Sequence, residues 1–393
     1  MGSGHAHGTD LDVPARTTRL LTIAAVAGAV VTLVGIAVLR VSPDDTTLGV
    51  PGTLAERIDA EVRSVDLADC PGQQDAPEGT GERCLEIVAS PLEGPDRGRP
   101  QTIVLPDLPT SPDLDVGETI VLGYEPSAEQ GFRYSFLDRQ RKPVLAWLVV
   151  LFAIPVVVLG RSRGAAALVG LALSVVVLLT FILPSIIAGR PPVLVAIFGA
   201  AAIAYLALYL AHGFNPMTTV ALLGALTSLG LTAALAHLFV VLTRLSGFAS
   251  EEAILIQLSI GQLDASGLVL AGIVIGALGA LDDVTVTQAS AVWEISGANP
   301  TLSAGELYRS GLRVGRDHVA SVVNTLLLAY AGAAMPLLVF FVVSQAGLAD
   351  VANEEVVATE IVRTMVGSIG LVAAVPITTW LAARVAVIGR PRD

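Results

Sequence analysis

The chain has 393 residues, 53% of them hydrophobic and 15% charged, with 23 basic and 35 acidic side chains and a net charge of −12. A soluble protein normally carries about 25% charged residues, so this composition excludes an ordinary soluble globule. The acidity also argues against nucleic acid as a partner. It is confined to one region: residues 41–142 hold 20 acidic and 9 basic groups, a balance of −11, and the rest of the chain is almost neutral.

Residues 1–19 open with a polar, glycine-rich, aperiodic run (MGSGHAHGTDLDVPA) and read as a disordered cytoplasmic tail. Its two histidines, His5 and His7, do not amount to a metal site, and no metal is expected. Arg16 and Arg19 then precede a continuous apolar run over 20–39. Basic residues followed by an apolar stretch are the layout of a signal sequence. Arg40-Val41-Ser42-Pro43 offers no small-x-small cleavage site, so residues 20–40 read as an uncleaved signal-anchor transmembrane helix.

Residues 41–142 change character. Short β-type stretches at 60–65, 84–89, 101–105, 118–122 and 132–137 alternate with Pro, Gly and Asp clusters. Repeated short strands between turn signals predict a small β-rich domain, a barrel or a sandwich, and the strand count alone suggests an OB-like or SH3-like barrel. Cys70 and Cys84 are the only cysteines in the chain. If the segment is exported, a disulfide closing a short loop is expected between them.

The remaining chain predicts an all-α polytopic bundle over 143–388, with a cytoplasmic tail at 389–393. Between Gly164 and Ser250 the only formal charges are Arg190 and Arg244, and apolar runs of about 20 residues, enough to cross a bilayer as helix, recur. Spans are expected near 143–160, 164–184, 192–211, 217–243, 266–292, 319–345 and 360–385, which with the signal anchor makes eight. Gly213-Phe214-Asn215-Pro216 supplies a helix stop, an N-cap and a first-turn proline in succession. An amphipathic stretch at 251–262 is expected to lie along the outer surface, with Asp264 interfacial beside it. With the N-terminus inside, Arg16, Arg19, Arg161, Arg163, Arg309, Arg313, Arg316, Arg390 and Arg392 all fall on the cytoplasmic side. Arginine asymmetry in short loops sets orientation, and it agrees with an even span count: both termini cytoplasmic, residues 41–142 extracytoplasmic.

Within the bundle, polarity concentrates in two places. Asp282 and Asp283 follow the apolar run 267–281, about 24 Å along a helix that starts near Ser266. Asp283, Thr287, Ser290 and Glu294 recur at i, i+4, i+7 and i+11, one face of a helix. Two carboxylates and two hydroxyls suit lipid badly, so the stripe is expected to face the bundle interior, a water-filled cavity or the cytoplasm. Gly272, Gly276 and Ala280 precede it with small residues every fourth position, which lets another helix approach closely. The second place is Arg316-Asp317-His318, where Asp317, Ser321 and Asn324 share one face. His318 is a candidate proton relay, since histidine is the side chain best suited to passing a proton near neutral pH. The stripes can line a solute path. Alternatively, Asp282, Asp283 and Arg316 form an ion pair that locks two helices together. Met335-Pro336 is expected to kink the helix that follows.

The chain shows no P-loop, nucleophile elbow or His-Glu-x-x-His, so neither an enzyme nor a cofactor is expected. Residues 276–294 (GALGALDDVTVTQASAVWE) and 315–331 (GRDHVASVVNTLLLAYA) resemble the YibE/F family of bacterial integral membrane proteins. The layout is similar too: one N-terminal span, an exported β-rich domain, then a helical bundle. The resemblance implies a multi-pass protein of the bacterial inner or plasma membrane, a transporter or permease without an assigned substrate. The positions matching the motif are Asp282, Asp283, Gln288, Glu294, Arg316, Asp317, His318 and Asn324. The expected partners are the lipid bilayer and a small solute or ion, with a homo-oligomer or an exported-domain partner as further possibilities. A membrane scaffold or sensor whose exported domain binds a partner is the competing expectation.

Overall fold

The structure, a computed structural model, describes residues 13–41, 56–70, 83–129, 131–249, 254, 264–345 and 347–388. Of the tail expected to be disordered, residues 1–12 lie outside the described residues, as does all of the amphipathic stretch except Ile254, while Ala15 to Arg19 are already helical. The chain divides into two compact units, Gly49–Pro155 and Met1–Leu48 with Val156–Asp393. The division falls some residues later than the sequence boundaries at 41 and 142.

The first unit contains five strands: β1 (Glu56–Asp69), β2 (Arg83–Pro91), β3 (Gln101–Pro106), β4 (Thr119–Tyr124) and β5 (Tyr134–Arg139). They form one antiparallel sheet in the order β3-β2-β1-β4-β5. Strand β1 is long enough to pair with β2 along most of its length and with β4 along its first half. Its alternation buries Ile58, Ala60 and Val62 and turns Arg57, Asp59 and Glu61 away from that core, the period-2 pattern of a half-buried strand. The register slips between Val62 and Ser64, and such a bulge bends and twists a strand. The result is a half-barrel. Its inner face holds Ile87, Ala89, Ile103, Ile120 and Leu122 beside the β1 residues. The β-rich domain expected from the sequence is present, and it stops short of a full barrel: among the described residues β3 and β5 approach without hydrogen-bonding to each other. A disulfide joins Cys70 to Cys84, with Cα atoms 5.0 Å apart, tying the end of β1 to the start of β2. Tyr134 donates from its hydroxyl to Asp96 at 3.1 Å, and burial, reinforced by that carboxylate, pushes its pKa up to about 12.

The helices are α1 (Ala15–Leu39), α2 (Lys142–Val177), a π-helical turn (Leu178–Ile182), α3 (Leu183–Ile187), α4 (Pro192–His212), α5 (Pro216–Leu242), α6 (Ala265–Ala298), α7 (Ala304–Ala333), α8 (Met335–Val343), α9 (Leu348–Asn353) and α10 (Glu355–Ile388). Six helical stretches among the described residues are long and apolar enough to cross a membrane, and a seventh is gained if α7 and α8 count as one bent span. The eight expected from sequence differ through Lys142–Ile187, which is continuous over 46 residues. At 1.5 Å per residue it would measure about 69 Å if straight, over twice a bilayer's hydrocarbon core. It is not straight: Arg161 sits at φ 50°, ψ −132°, where the sequence placed a connection. Just beyond, Gly164 lies so close to the Val156 carbonyl that no β-carbon would fit. The bend of 65° between α7 and α8 falls directly before Met335-Pro336, where proline was expected to act. Likewise Gly213 caps α4 at φ 77°, and Asn215 accepts from the Thr218 amide to start α5.

Helix α6 is central and packs against α4, α5, α7 and α10. Helices α5 and α10 meet antiparallel through a reciprocal contact: Thr378 rests on Gly224, and Thr232 on Gly370. Each glycine removes a side chain where the other helix presents a hydroxyl. This is the close approach that drives helix association in membranes, where no hydrophobic effect is available.

Candidate functional site

The site is built on the antiparallel pair α6 and α7. Asp264 caps α6, accepting from the Gly267 amide at 2.9 Å, so the residue expected to be merely interfacial starts the helix. Capping also fixes α7: Ser303 and Glu306 form a reciprocal capping box. One face of α6, including Leu278, Leu281, Thr285, Gln288 and Val292, is buried in the bundle. Gln288 donates from Nε2 to the Gly311 carbonyl at 2.7 Å, and Gly311 and Gly315 lie directly against its amide. A polar side chain buried at a helix crossing is thus satisfied by the backbone of its neighbour.

The opposite face of α6 carries the stripe. Asp283, Thr287 and Glu294 are exposed and Ser290 is half-buried. Of the three surroundings expected for this stripe, the bundle interior is not the one taken: buried apolar residues occupy the inward face, and the i, i+4, i+7 polar set lies opposite to them. Asp317, Ser321 and Asn324 of α7 are also exposed, because Gly311, Gly315, Val319, Val323 and Leu326 take the packed side. Arg316 is exposed and forms no ion pair with Asp282 or Asp283 among the described residues. The interhelical lock proposed from sequence is not made, since Arg316 lies away from the α6-facing side of its helix.

One pair does cross between the helices. His318 Nε2 lies 3.7 Å from Asp283 Oδ2, within ion-pair range but too long for a hydrogen bond. That nitrogen is buried and otherwise without a hydrogen-bond partner among the described residues. One Asp282 carboxylate oxygen is in the same condition. The adjacent aspartates thus separate, Asp283 onto the exposed stripe and Asp282 into half-buried surroundings.

Depth follows from contacts with α4. Gly267 packs against Pro192, which sets the start of α6 level with the start of α4. The 21 residues of α4 extend about 31 Å, roughly the hydrocarbon thickness. Asp283 lies about 24 Å along α6 from Gly267, short of the far end of α4. Asn324 is six residues farther along the antiparallel α7 than His318, which returns it about 9 Å, to a level near the middle of α4.

Sequence reasoning missed a second polar cluster. On α10, Arg363 Nη1 bonds Glu360 Oε1 at 2.7 Å, and the guanidinium reaches toward Gly272 of α6. The Thr359 and Ser368 hydroxyls nearby in sequence are buried without partners among the described residues. Two opposite charges three residues apart inside an apolar run were the available signal. No group of three His, Cys, Asp or Glu suited to a metal occurs among the described residues.

Comparison with known families identifies a YibE/F-like protein model matching residues 148–387. The chain belongs to the YibE/F family. The match spans from within α2 to the end of α10 and so contains both polar stripes, the Asp283–His318 pair and the Glu360–Arg363 pair of this YibE/F-like chain, but not its sheet. No curated protein and no solved structure matches it.

Proposed function

We propose that this YibE/F-like protein is a secondary transporter or permease for a small solute or ion, with a path along the α6 face from Asp283 to Glu294. The observation that carries the reading is the Asp283–His318 pair, a carboxylate and an imidazole brought to 3.7 Å from two helices at a depth spanned by α4. An ionisable group costs about 2.5–3.5 kcal/mol at the bilayer centre and less toward its faces, and Asp283, about 7 Å short of the far end of α4, carries part of that cost, so its presence there calls for a role. An imidazole facing a carboxylate is suited to passing a proton, and the hydroxyls of Thr287 and Ser290 continue the polar surface along α6. The orientation we adopt puts both termini in the cytoplasm and residues 41–142 outside a bacterial cell membrane, on the strength of the arginine asymmetry.

The test is flux into proteoliposomes holding the full chain, followed with trapped dyes for protons and for mono- and divalent cations. The wild type should exceed empty liposomes for at least one ion, and Asp283→Asn should lower that flux at least about tenfold, the loss expected when an essential proton carrier is removed. Equal flux from Asp283→Asn and wild type would remove the stripe from the path. One observation favours the scaffold or sensor reading: among the described residues the outer edges of β3 and β5 have no strand partner, and such edges can accept a strand from a partner. Under that reading, deleting residues 45–138 abolishes the cellular phenotype while Asp282→Asn and Asp283→Asn are silent.

A further inference from the structure

Helix α7 buries only Leu307, Gly311 and Gly315, all before Arg316, and α8 buries nothing. The membrane-depth half of α7 therefore leans on the bundle with one side and leaves the other uncovered by any of the described residues. That uncovered side is not apolar. Asp317, Ala320, Ser321, Asn324 and Leu328 lie along it, all exposed, with Arg313 one turn before Asp317. Lipid tails can hydrogen-bond none of these groups, and polar residues inside membranes ordinarily face protein or water.

We propose that this face of α7 packs against the same face of a second copy of the chain. The face is complementary to itself. Asparagine and serine each donate and accept, so Asn324 and Ser321 can bond their own counterparts across a two-fold axis. Arg313 and Asp317 carry opposite charges one turn apart, so with identical residues level across the two-fold each lies diagonally one turn from its opposite on the partner. Ala320 keeps the crossing close, and Ser or Asn side chains bonding between helices are the usual adhesive of membrane interfaces. Asp317 is adjacent to His318, so the interface borders the Asp283–His318 pair and shields that end of the stripe from lipid. The inference needs α7 to lie at membrane depth but does not need the stripe to conduct.

Cross-linking tests it in the full chain in native membranes. Both native cysteines are held in the disulfide, so one introduced cysteine is the only free thiol. Mild oxidation of Ala320→Cys or Leu328→Cys should give a dimer on gels. Leu231→Cys and Val372→Cys, on exposed positions of α5 and α10, should not. Adding Asn324→Leu to Ala320→Cys should lower the dimer yield about three- to tenfold, the span expected for losing interhelical hydrogen bonds in a membrane, with size-exclusion profiles confirming that each variant folds. Cross-linking of the α7 positions no greater than the controls, or undiminished by Asn324→Leu, overturns the proposal. A cross-linked dimer without flux would sink the transport reading and leave this one standing.

Discussion

Replacing Gly370 by alanine tests the logic of the α5–α10 seam, because two effects of similar size act with opposite sign. In a helix interior, alanine is favoured over glycine by about 1 kcal/mol, so Gly→Ala at an unobstructed site should be neutral or stabilising. Gly230 of α5 is such a site, with nothing within 4 Å of an added methyl. At Gly370 the methyl would land on the Thr232 hydroxyl oxygen. That hydroxyl is buried and donates to the Ser228 carbonyl at 2.8 Å, so turning it aside breaks a bond in a packed interface. Overpacking costs about 1–3 kcal/mol and the lost hydrogen bond about 1 kcal/mol, so after subtracting the helix gain a net loss of about 1–3 kcal/mol remains. Gly370→Ala should therefore lower the midpoint of thermal unfolding in detergent by roughly 2–6 °C, while Gly230→Ala leaves it unchanged or raises it. Thr232→Ala removes the obstructing oxygen, so the double variant Gly370→Ala/Thr232→Ala should recover most of the loss instead of adding to it. Strict additivity of the two single changes, or equal behaviour at positions 230 and 370, would refute the reciprocal packing.

Three further outcomes are expected. Replacing both Cys70 and Cys84 by serine releases a link across 14 residues of sequence and should destabilise the sheet unit by roughly 3 kcal/mol, seen as an earlier loss of strand circular dichroism on heating and absent under reducing conditions. The Tyr134 pKa of about 12 lies above the usual 10, so the folded unit holds this proton longer than the unfolded chain does. Its contribution is intact below pH 10 and lost as pH rises toward about 12; urea midpoints across that range should fall less steeply for Tyr134→Phe than for wild type. Gln288→Leu removes the bond to the Gly311 carbonyl in the helix crossing and should cost about 0.5–1.5 kcal/mol in the same detergent melts, whereas Thr287→Val on the exposed neighbouring face should cost little.

The parts of the fold that the sequence made legible are those governed by local chemistry. All five strands lie where β-type residues alternate between turns, although β5 starts at Tyr134 because Phe132 belongs to an exposed turn. The stops and caps from Gly213 to Pro216 and the bend before Pro336 follow from what single residues can and cannot do in a helix. Sheet closure was not legible. Whether β3 and β5 pair depends on the curvature that β1 acquires at its bulge, and a bulge leaves no residue signature of its own in the Val62-Arg63-Ser64 run. The Gly224–Thr378 and Thr232–Gly370 contacts join residues over 130 positions apart, which no local periodicity reports.

The polar stripes show why helical period alone could not place the site. Period assigns Asp283, Thr287, Ser290 and Glu294 to one face of α6, but not the direction of that face. Direction is decided by which face is more worth burying among the other helices. In α6 the buried face wins with Leu278, Leu281, Val284 and Val292, plus one glutamine whose bond to Gly311 is already satisfied. Burying the carboxylate face instead would strand the two charges of Asp283 and Glu294, at several kcal/mol apiece. The same competition on α7 turns Val319, Val323 and Leu326 inward and leaves Asn324 outward. Both helices thus spend their apolar residues on the bundle and present their polar ones on its perimeter, and in a bilayer a perimeter of that kind requires water or protein against it.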